Sequence, residues 1–413
     1  MDKQYDLIVI GGGPAGMMAA GRAGAKGANV LLLEKNDRLG MKLAITGKGR
    51  CNITNAEFDI SSLVKKYGRT GKFLFSAFNK FGPQDIIDFF NNRNLSTKIE
   101  KNNRVFPDNA KACDVIEVLK LYLKENSVDI MTNVEVKFIN FNKSHIENII
   151  LKDDRELSAK EYLICTGGKS YPLTGSTGDA YKWLSEIGHK IISPQPALTS
   201  IILKEDWVKD LEGLSLKNIV VNVYQKNKKV LSKFGEALFT NDGLSGPIII
   251  DMSKAIGELL QIGEVDIQID FIPDLTEEEL DQKIQNDFKE FSNKLYRNSL
   301  NSLLPQKLIT AIVKLSVVDP EKKVNSITRE ERRRIVFLLK HFVLQVSKLS
   351  GFDKAVITTG GVDVKNIDPQ TMRSKIIDNL FIAGELLDLD GPTGGYNLQI
   401  CWSTGFVVGD NFI

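Results

Sequence analysis

At 413 residues, 42% hydrophobic and 26% charged, the chain is long enough for two or three domains, and its make-up is that of a protein with full cores rather than a disordered one. Its 54 Lys and Arg against 52 Asp and Glu leave a formal charge of +2, so overall charge gives no argument for nucleic acid or an acidic membrane. No apolar run approaches the ~20 residues of a membrane helix, and the start of the chain lacks the basic, apolar and small-residue segments of a signal peptide. The expectation is a cytoplasmic protein with no membrane partner and no obligate protein partner.

In chain order, Tyr5–Ile10 is apolar and β-branched, the composition of a strand buried on both faces. Gly13–Lys26, rich in Ala and Gly, reads as a helix and Ala28–Leu33 as a second buried strand, together a βαβ unit. Gly40–Arg69 is polar and without clear period, and is expected to lie against a ligand. Helices are predicted over Pro83–Asn92 and Ala112–Lys124, and strands over Val134–Phe141 and Glu161–Thr166. The character changes at Ser193-Pro194-Gln195-Pro196. Beyond it, Asn218–Tyr224 and Val265–Phe271 alternate as antiparallel strands do. From Thr276 to about Ser350 the pattern is helical, clearest over Glu330–Lys348, where Ile335, Leu338, Leu339, Phe342 and Val343 fall at helical spacing. Strand character returns at Ala355–Thr359 and Asn379–Ala383. A first domain is thus interrupted by an insert and resumed at the C-terminus.

Gly11-Gly12-Gly13-Pro14-Ala15-Gly16 places G-x-G-x-x-G between the first strand and its helix. Gly11 permits the turn, Gly13 the approach of a pyrophosphate, and Gly16 close packing of helix on strand. The helix N-terminus then offers free N–H groups and partial positive charge to phosphates. Glu34 ends the second strand about 20 residues on, where a carboxylate binds ribose hydroxyls and disfavours a 2′-phosphate. This leaves FAD or NAD. A second Gly-rich turn decides between them. Phe381–Glu385 reads as a strand ending in Gly384-Glu385, followed by Asp390–Leu398 and a helix through Trp402, Gly405 and Gly409. FAD needs two such turns, one at each end of the cofactor. A helix starting near Gly395 would aim its N–H groups at the flavin edge where negative charge gathers on reduction.

The blocks Gly11–Gly16, Ile45–Asn55, Arg104–Pro107, Thr166–Gly168 with Tyr171-Pro172 and Gly175–Gly178, Thr359–Val362, and Gly384-Glu385 through Gln399 resemble the BaiN-like, aminoacetone-oxidase-like NAD(P)/FAD-dependent oxidoreductases, a flavoprotein family that includes a ribosomal RNA dihydrouridine synthase. The resemblance covers almost the whole chain. It implies an α/β fold in which a Rossmann-type FAD domain, here 1–192 and 353–413, is split by an insert made of a β-rich domain, 193–273, and a helical subdomain, 274–352. The FAD contacts it implies are Gly11, Gly13, Pro14, Ala15, Gly16, Glu34, Lys35, Lys42, Gly49, Arg50, Cys51, Asn52, Val136, Thr166, Gly167, Gly384, Glu385, Asn397 and Leu398. Lys48 stands where small residues are common in the family.

For the chemistry, Cys51, Tyr171 and Tyr396 are the candidates: a thiol as proton donor or merely packed, and two tyrosines able to stack or to supply a proton. Cys51, Cys113, Cys165 and Cys401 include no C-x-x-C, which removes the dithiol flavoenzymes, and the last three read as core. His145, His189 and His341 show no metal-ligand spacing, so no metal is expected, and His189, after Gly188, reads as a cap. No second G-x-G-x-x-G follows a later strand, so NAD(P)H would be a transient reductant. The resemblance leaves three acceptors open: an activated C=C in a small molecule, a small amine, or a uridine of 23S ribosomal RNA. An electron carrier without its own substrate is the non-enzymatic alternative. Lys226–Lys233 and Arg332-Arg333-Arg334 are either solvated faces or RNA contacts.

Overall fold

The computed structural model describes residues 4–412. These divide into two compact units, one formed by the residues up to Pro196 with those from Phe352 onward, the other by Ala197–Gly351.

In the first unit, strand β1 (Tyr5–Ile10), helix α1 (Pro14–Ala25) and strand β2 (Val30–Leu33) form the βαβ unit. β1 is the centre of a five-stranded sheet ordered Leu380–Ile382, Ala159–Ile164, β1, β2, Asp129–Met131. Every pairing is parallel, and the register aligns Ile10 with Leu33 and Ile164, and Ile164 with Ile382. Four chain segments therefore leave the sheet at one carboxyl edge: Gly11–Gly16, Glu34 onward, Cys165–Gly168 and Gly384-Glu385. In open α/β sheets ligands bind at that edge. Aliphatic residues such as Leu7, Ile8, Val9, Leu31, Leu32 and Leu163 are fully buried, as a sheet covered on both faces requires.

The last helix, Tyr396–Asn411, lies against α1 through glycines. A Cβ on Gly405 would stand 2.3 Å from the Ala15 carbonyl oxygen, and one on Gly409 2.5 Å from that of Ala19. Arg22 pairs with Asp410 at 2.6 Å and covers the Phe406 ring at 4.8 Å. A contact this close needs small residues four apart on one helix facing backbone on the other. It joins the two ends of the sequence.

The second unit is a closed six-stranded barrel, in the order Ile201–Leu203, Gly243–Ser245, Lys228–Phe239, Ser215–Gln225, Val265–Asp270, Phe342–Leu349. Helices Pro247–Leu260, Glu277–Glu290, Gln306–Ser316 and Arg329–Lys340 share its core. Thr276 with Glu279 and Thr328 with Glu331 form capping boxes that start two of them.

The helix read over 330–348 is corrected here: it ends at Lys340, and Phe342–Leu349 is a barrel strand. Phe342, Leu344 and Val346 alternate inward while Val343 is exposed. The residues at Phe342 and Val343 suit either period, and antiparallel pairing with Val265–Asp270 decides it. The segment 274–352 therefore contributes a barrel strand as well as helices.

Candidate functional site

At the first turn Gly11 has φ +116°, a value only glycine adopts readily, and a Cβ there would stand 2.7 Å from the Cys165 carbonyl oxygen. Gly16 packs with no room for a side chain: a Cβ there would stand 1.9 Å from the Gly11 carbonyl oxygen. Gly13 differs: a Cβ there would meet nothing within 4 Å. Gly11 and Gly16 are thus glycines for the fold, and Gly13 faces open space. Pro14 opens α1, and no acidic residue occupies its first turn. Met17 N–H is the first to bond within the helix, to Gly13 O at 2.9 Å, which leaves Ala15 and Gly16 N–H without intrahelical acceptors. Gly12, which the sequence did not single out, donates its N–H to Glu34 Oε2 at 2.8 Å.

Glu34 is buried at the end of β2, its other oxygen accepting from Asn36 N and Nδ2 at 2.9 and 2.7 Å. Its carboxylate is therefore aimed by two neighbouring segments. Lys35 instead turns to Thr177 and Asp179, with a 2.7 Å ion pair. Burial opposes charge on Asp179, yet Lys35 and Thr177 hold it below its ordinary pKa. Lys42 reaches Glu385 at 2.7 Å and Ser170 Oγ at 2.5 Å, while Glu385 Oε1 accepts from Thr358 N at 2.9 Å. This hub ties four segments from both halves of the first unit; Ser170 and Thr358 carried no sequence signal for it. Thr166 Oγ1 is buried with no partner, and Gly167 has φ +79°. Val136 begins the strand Val136–Asn142 and is buried.

The loop before Asn52 is left-handed at Gly47, Lys48, Gly49 and Cys51. Lys48, at φ +57°, occupies a conformation that smaller residues take more easily. Arg50 pairs with Glu100 at 2.5 Å and lies over the Phe106 ring at 4.2 Å. Asn52 completes the loop's link to the C-terminal turn: its side-chain oxygen accepts from Gly395 N–H at 3.0 Å, and its amide donates to Val105 O and Thr54 O. Gly395 N–H, expected to face a ligand, is therefore taken by Asn52. The first-turn N–H groups of Tyr396, Asn397 and Leu398 have no intrahelical acceptors. Asn397 uses its side chain on the loop itself, accepting from Gly391 N at 2.8 Å and donating to Gly391 O at 2.9 Å. A buried polar chain, Thr54 Oγ1 to Gln399 Oε1 at 2.6 Å and Gln399 Nε2 to Ser403 Oγ at 2.8 Å, anchors the helix, as does Trp402 Nε1 donating to Ile53 O at 2.9 Å. Gln399 and Ser403, polar residues four apart in an apolar helix, were the available signal.

Of the chemical candidates, Cys51 has no exposure, and burial pushes its thiol up to about 12 despite a hydrogen bond with Thr46. That is a packed, neutral thiol. Cys165 and Cys401 are buried and raised likewise, Cys401 to about 12. Cys113 is exposed, not core, because it falls on the outer face of the helix Ala112–Glu125. Tyr396 is nearly buried, edge-on to Tyr67 at 6.1 Å, with its hydroxyl pKa raised by burial and then by Glu57. Tyr171 is partly exposed and left-handed at φ +52°, although it precedes Pro172, a combination that local sterics disfavour. His189 is buried, its Nε2 2.8 Å from Ser374 Oγ, and burial lowers it to about 4. In the second unit Arg332 is held by Asp281 at 2.6 Å, whereas Arg333, Arg334, Lys226, Lys228 and Lys229 are exposed.

These residues fit a dinucleotide carrying a flavin: open space over Gly13, unpaired N–H groups at the starts of two helices, and an oriented carboxylate at Glu34. Among the described residues no cluster of His, Cys, Asp or Glu is placed to hold a metal, and no helix is long and apolar enough to cross a membrane.

The family described as HI0933-like protein Rossmann domain matches residues 5–411. The 3-dehydro-bile acid delta(4,6)-reductase of Clostridium scindens is 28% identical over 97% of this chain and 97% of its own. The ribosomal RNA dihydrouridine synthase of Haemophilus influenzae is 27% identical over 98% of each. The structure of 3-ketosteroid delta1-dehydrogenase from Sterolibacterium denitrificans superposes with a TM-score of 0.54, at 14% identity and 99% coverage of both chains, which is a likeness of fold.

Proposed function

The chain belongs to the HI0933-like Rossmann-domain family, and from that premise we propose that it is an FAD-dependent oxidoreductase that takes reducing equivalents from NADH or NADPH and saturates an activated carbon–carbon double bond. The observation that carries the reading is the convergence of two Gly-rich turns, at Gly11–Gly16 and at Gly391–Tyr396, on neighbouring helices whose starts keep unpaired N–H groups. FAD, when bound, supplies two-electron hydride chemistry.

The chain's own residues do the rest. Gly13 gives the pyrophosphate its approach, with Ala15 and Gly16 N–H as donors. Glu34, oriented by Gly12 and Asn36, takes the ribose hydroxyls. Lys42, Glu385, Thr166, Gly167, Gly384, Asn397 and Leu398 would hold the cofactor along the way to the second turn, where the first-turn N–H groups of the last helix would favour negative charge. Gly49, Arg50, Asn52 and Val136 complete the proposed contacts. Tyr396, held protonated by burial, and Tyr171, held in a strained conformation, are the proposed proton donors or stacking groups.

Two relatives' names support C=C reduction, one on a bile acid and one on ribosomal RNA. Reducing uridine to dihydrouridine saturates C5=C6 next to a carbonyl, so both describe one chemistry on different acceptors. Deleting the gene and mapping dihydrouridine in 23S RNA by mass spectrometry separates them. Loss of one site, restored by wild type but not by Glu34→Ala, supports the RNA substrate. An unchanged map moves the substrate to a small enone. A colourless purified protein that releases no FAD on heating would end the flavin reading itself.

A further inference from the structure

Beside the C-terminal turn lies a cationic group that the reading above leaves unused. Arg104 begins the short strand Arg104–Pro107, and its register partner is Asn55 in Thr54–Asn55. A Cβ on Gly394 would stand 3.6 Å from Asn55 Nδ2 and 3.8 Å from Arg104 Cγ, so Arg104 borders the turn directly. Its Nε donates to Lys101 O at 3.1 Å, and its Cζ lies 5.7 Å from the centroid of Phe106. Arg50 lies over the same ring at 4.2 Å, and Phe106 is buried. The two arginines differ in what they have left to give. Arg50 is engaged by both Glu100 oxygens. Arg104 has its plane fixed by Nε and the ring, while its two terminal nitrogens make no hydrogen bond among the described residues. Around them, Lys98 and Lys101 add positive charge. Glu100, the register partner of Arg104 on the neighbouring strand, is bonded to Arg50 and lies 4.0 Å from Lys98, and the charge of Arg104 also helps to hold its carboxyl below the usual range; Asp108 pairs with Lys98 at 3.1 Å. The local balance is positive on a chain whose overall charge is near zero.

A guanidinium held through Nε, with its Nη1–Nη2 edge free, is suited to a planar or tetrahedral oxyanion, which that edge can hold by two parallel bonds. We propose that Arg104 recognises a carboxylate or phosphate carried by the acceptor substrate and so sets where that substrate sits relative to the C-terminal turn. This rests on the oxidoreductase reading for the word substrate; the anion site itself does not depend on it.

Calorimetric titration of the full-length, FAD-loaded protein with two matched pairs tests the idea: cinnamate against cinnamamide, and uridine 5′-monophosphate against uridine. Wild type is expected to prefer the anion of at least one pair by about tenfold, the scale of one charge-assisted hydrogen-bonded contact. Arg104→Gln should reduce that preference to near unity, and Arg104→Lys should restore part of it, since an ammonium keeps the charge but not the fork. Preference in the first pair alone assigns a carboxylate, and in the second alone a phosphate. No preference in either pair, or a preference that survives Arg104→Gln in protein with wild-type melting behaviour, overturns the proposal. FAD content, measured separately by release on heating, reports on the flavin reading, and its loss would leave the calorimetric result to stand alone.

Discussion

The two glycine-rich turns of the first unit are built in opposite ways. At Gly11–Gly16 the supporting bonds come from nearby sequence: Gly11 N–H to Leu33 O and Gly12 N–H to Glu34. At Gly391–Tyr396 Asn397 adds local bonds to Gly391, but the bonds that fix the turn in place come from more than 300 residues away: Asn52 on Gly395, Tyr67 Oη on Tyr396 O at 2.9 Å, and Thr54 on Gln399 at the start of the helix. A turn held by its own strand and helix folds with them. A turn held by distant side chains exists only once both ends of the chain are packed, so the second turn should respond to damage at the interface and the first to damage at its own glycines.

The sharpest way to break this contrast is at the interface itself. Gly405→Val places side-chain atoms where a Cβ alone is 2.3 Å from the Ala15 carbonyl oxygen, which is backbone and cannot swing aside. The expected loss is about 3 kcal/mol or more, with a lowered Tm and loss of FAD together. Gly13→Val should separate the two effects. Its Cβ meets nothing, so Tm without cofactor should stay near wild type while FAD retention falls by at least about tenfold. If Gly13→Val retained FAD normally, the open space there would not be the pyrophosphate's.

A polar substitution sharpens the same comparison more gently. Gln399→Leu leaves Thr54 Oγ1 and Ser403 Oγ without their shared partner in a buried place. It should cost about 1–3 kcal/mol in urea unfolding and loosen the second turn more than the first. That is readable as faster hydrogen exchange at 391–398 with little change at 11–16.

The first turn was legible because every residue that matters lies within one βαβ unit at fixed spacing, from Gly11 to Glu34. The second was legible as a turn but not as a construction. Nothing near Gly395 says that Asn52 caps it, and nothing near Lys42 says that its charge is spent on Glu385. Cys113 is exposed because of the phase of its helix, and Phe342–Leu349 is a strand because of the strand it pairs with; the local residues decide neither. Arg104 lies in one of the sequence blocks that carry the family resemblance, yet its free edge shows only in the fold, where Lys101 O takes its Nε and Phe106 lies beneath it.

Acid offers a perturbation that belongs to neither turn. His189 is buried and neutral, lowered to about 4 against about 6.5 when unfolded. Between those values the unfolded chain binds the extra proton and the folded one does not. Stability from this residue is therefore complete above about pH 6.5, declines as pH falls toward 4, and changes no further below it. The expected loss is on the order of 3 kcal/mol. His189→Gln should flatten the slope of unfolding free energy against pH in that window, and carboxylates titrating at lower pH should leave the difference between the two proteins unaffected. An unchanged slope would mean that the histidine is protonated in the fold.

The smallest effect is expected at Cys51, although it stands in the loop that joins the two turns. Its thiol is fully enclosed and pushed up to about 12, so between pH 6 and 9 it carries no charge and has no path to a substrate. Its backbone, at φ +58°, is what the loop uses, because that conformation turns the chain so that Asn52 meets Gly395. Cys51→Ala keeps a Cβ in the same conformation and removes one buried sulfur, which should cost about 1 kcal/mol. Turnover with NADH or NADPH should stay within about twofold of wild type, and its pH profile should keep its shape. Cys51→Asn tests the backbone separately, since Asn tolerates the left-handed region but is larger and polar; any loss it shows should appear in Tm before it appears in the pH profile. A fall in turnover on the order of a hundredfold in Cys51→Ala, with one limb of the pH profile removed, would return the proton to the thiol and make the joining loop part of the chemistry rather than its support.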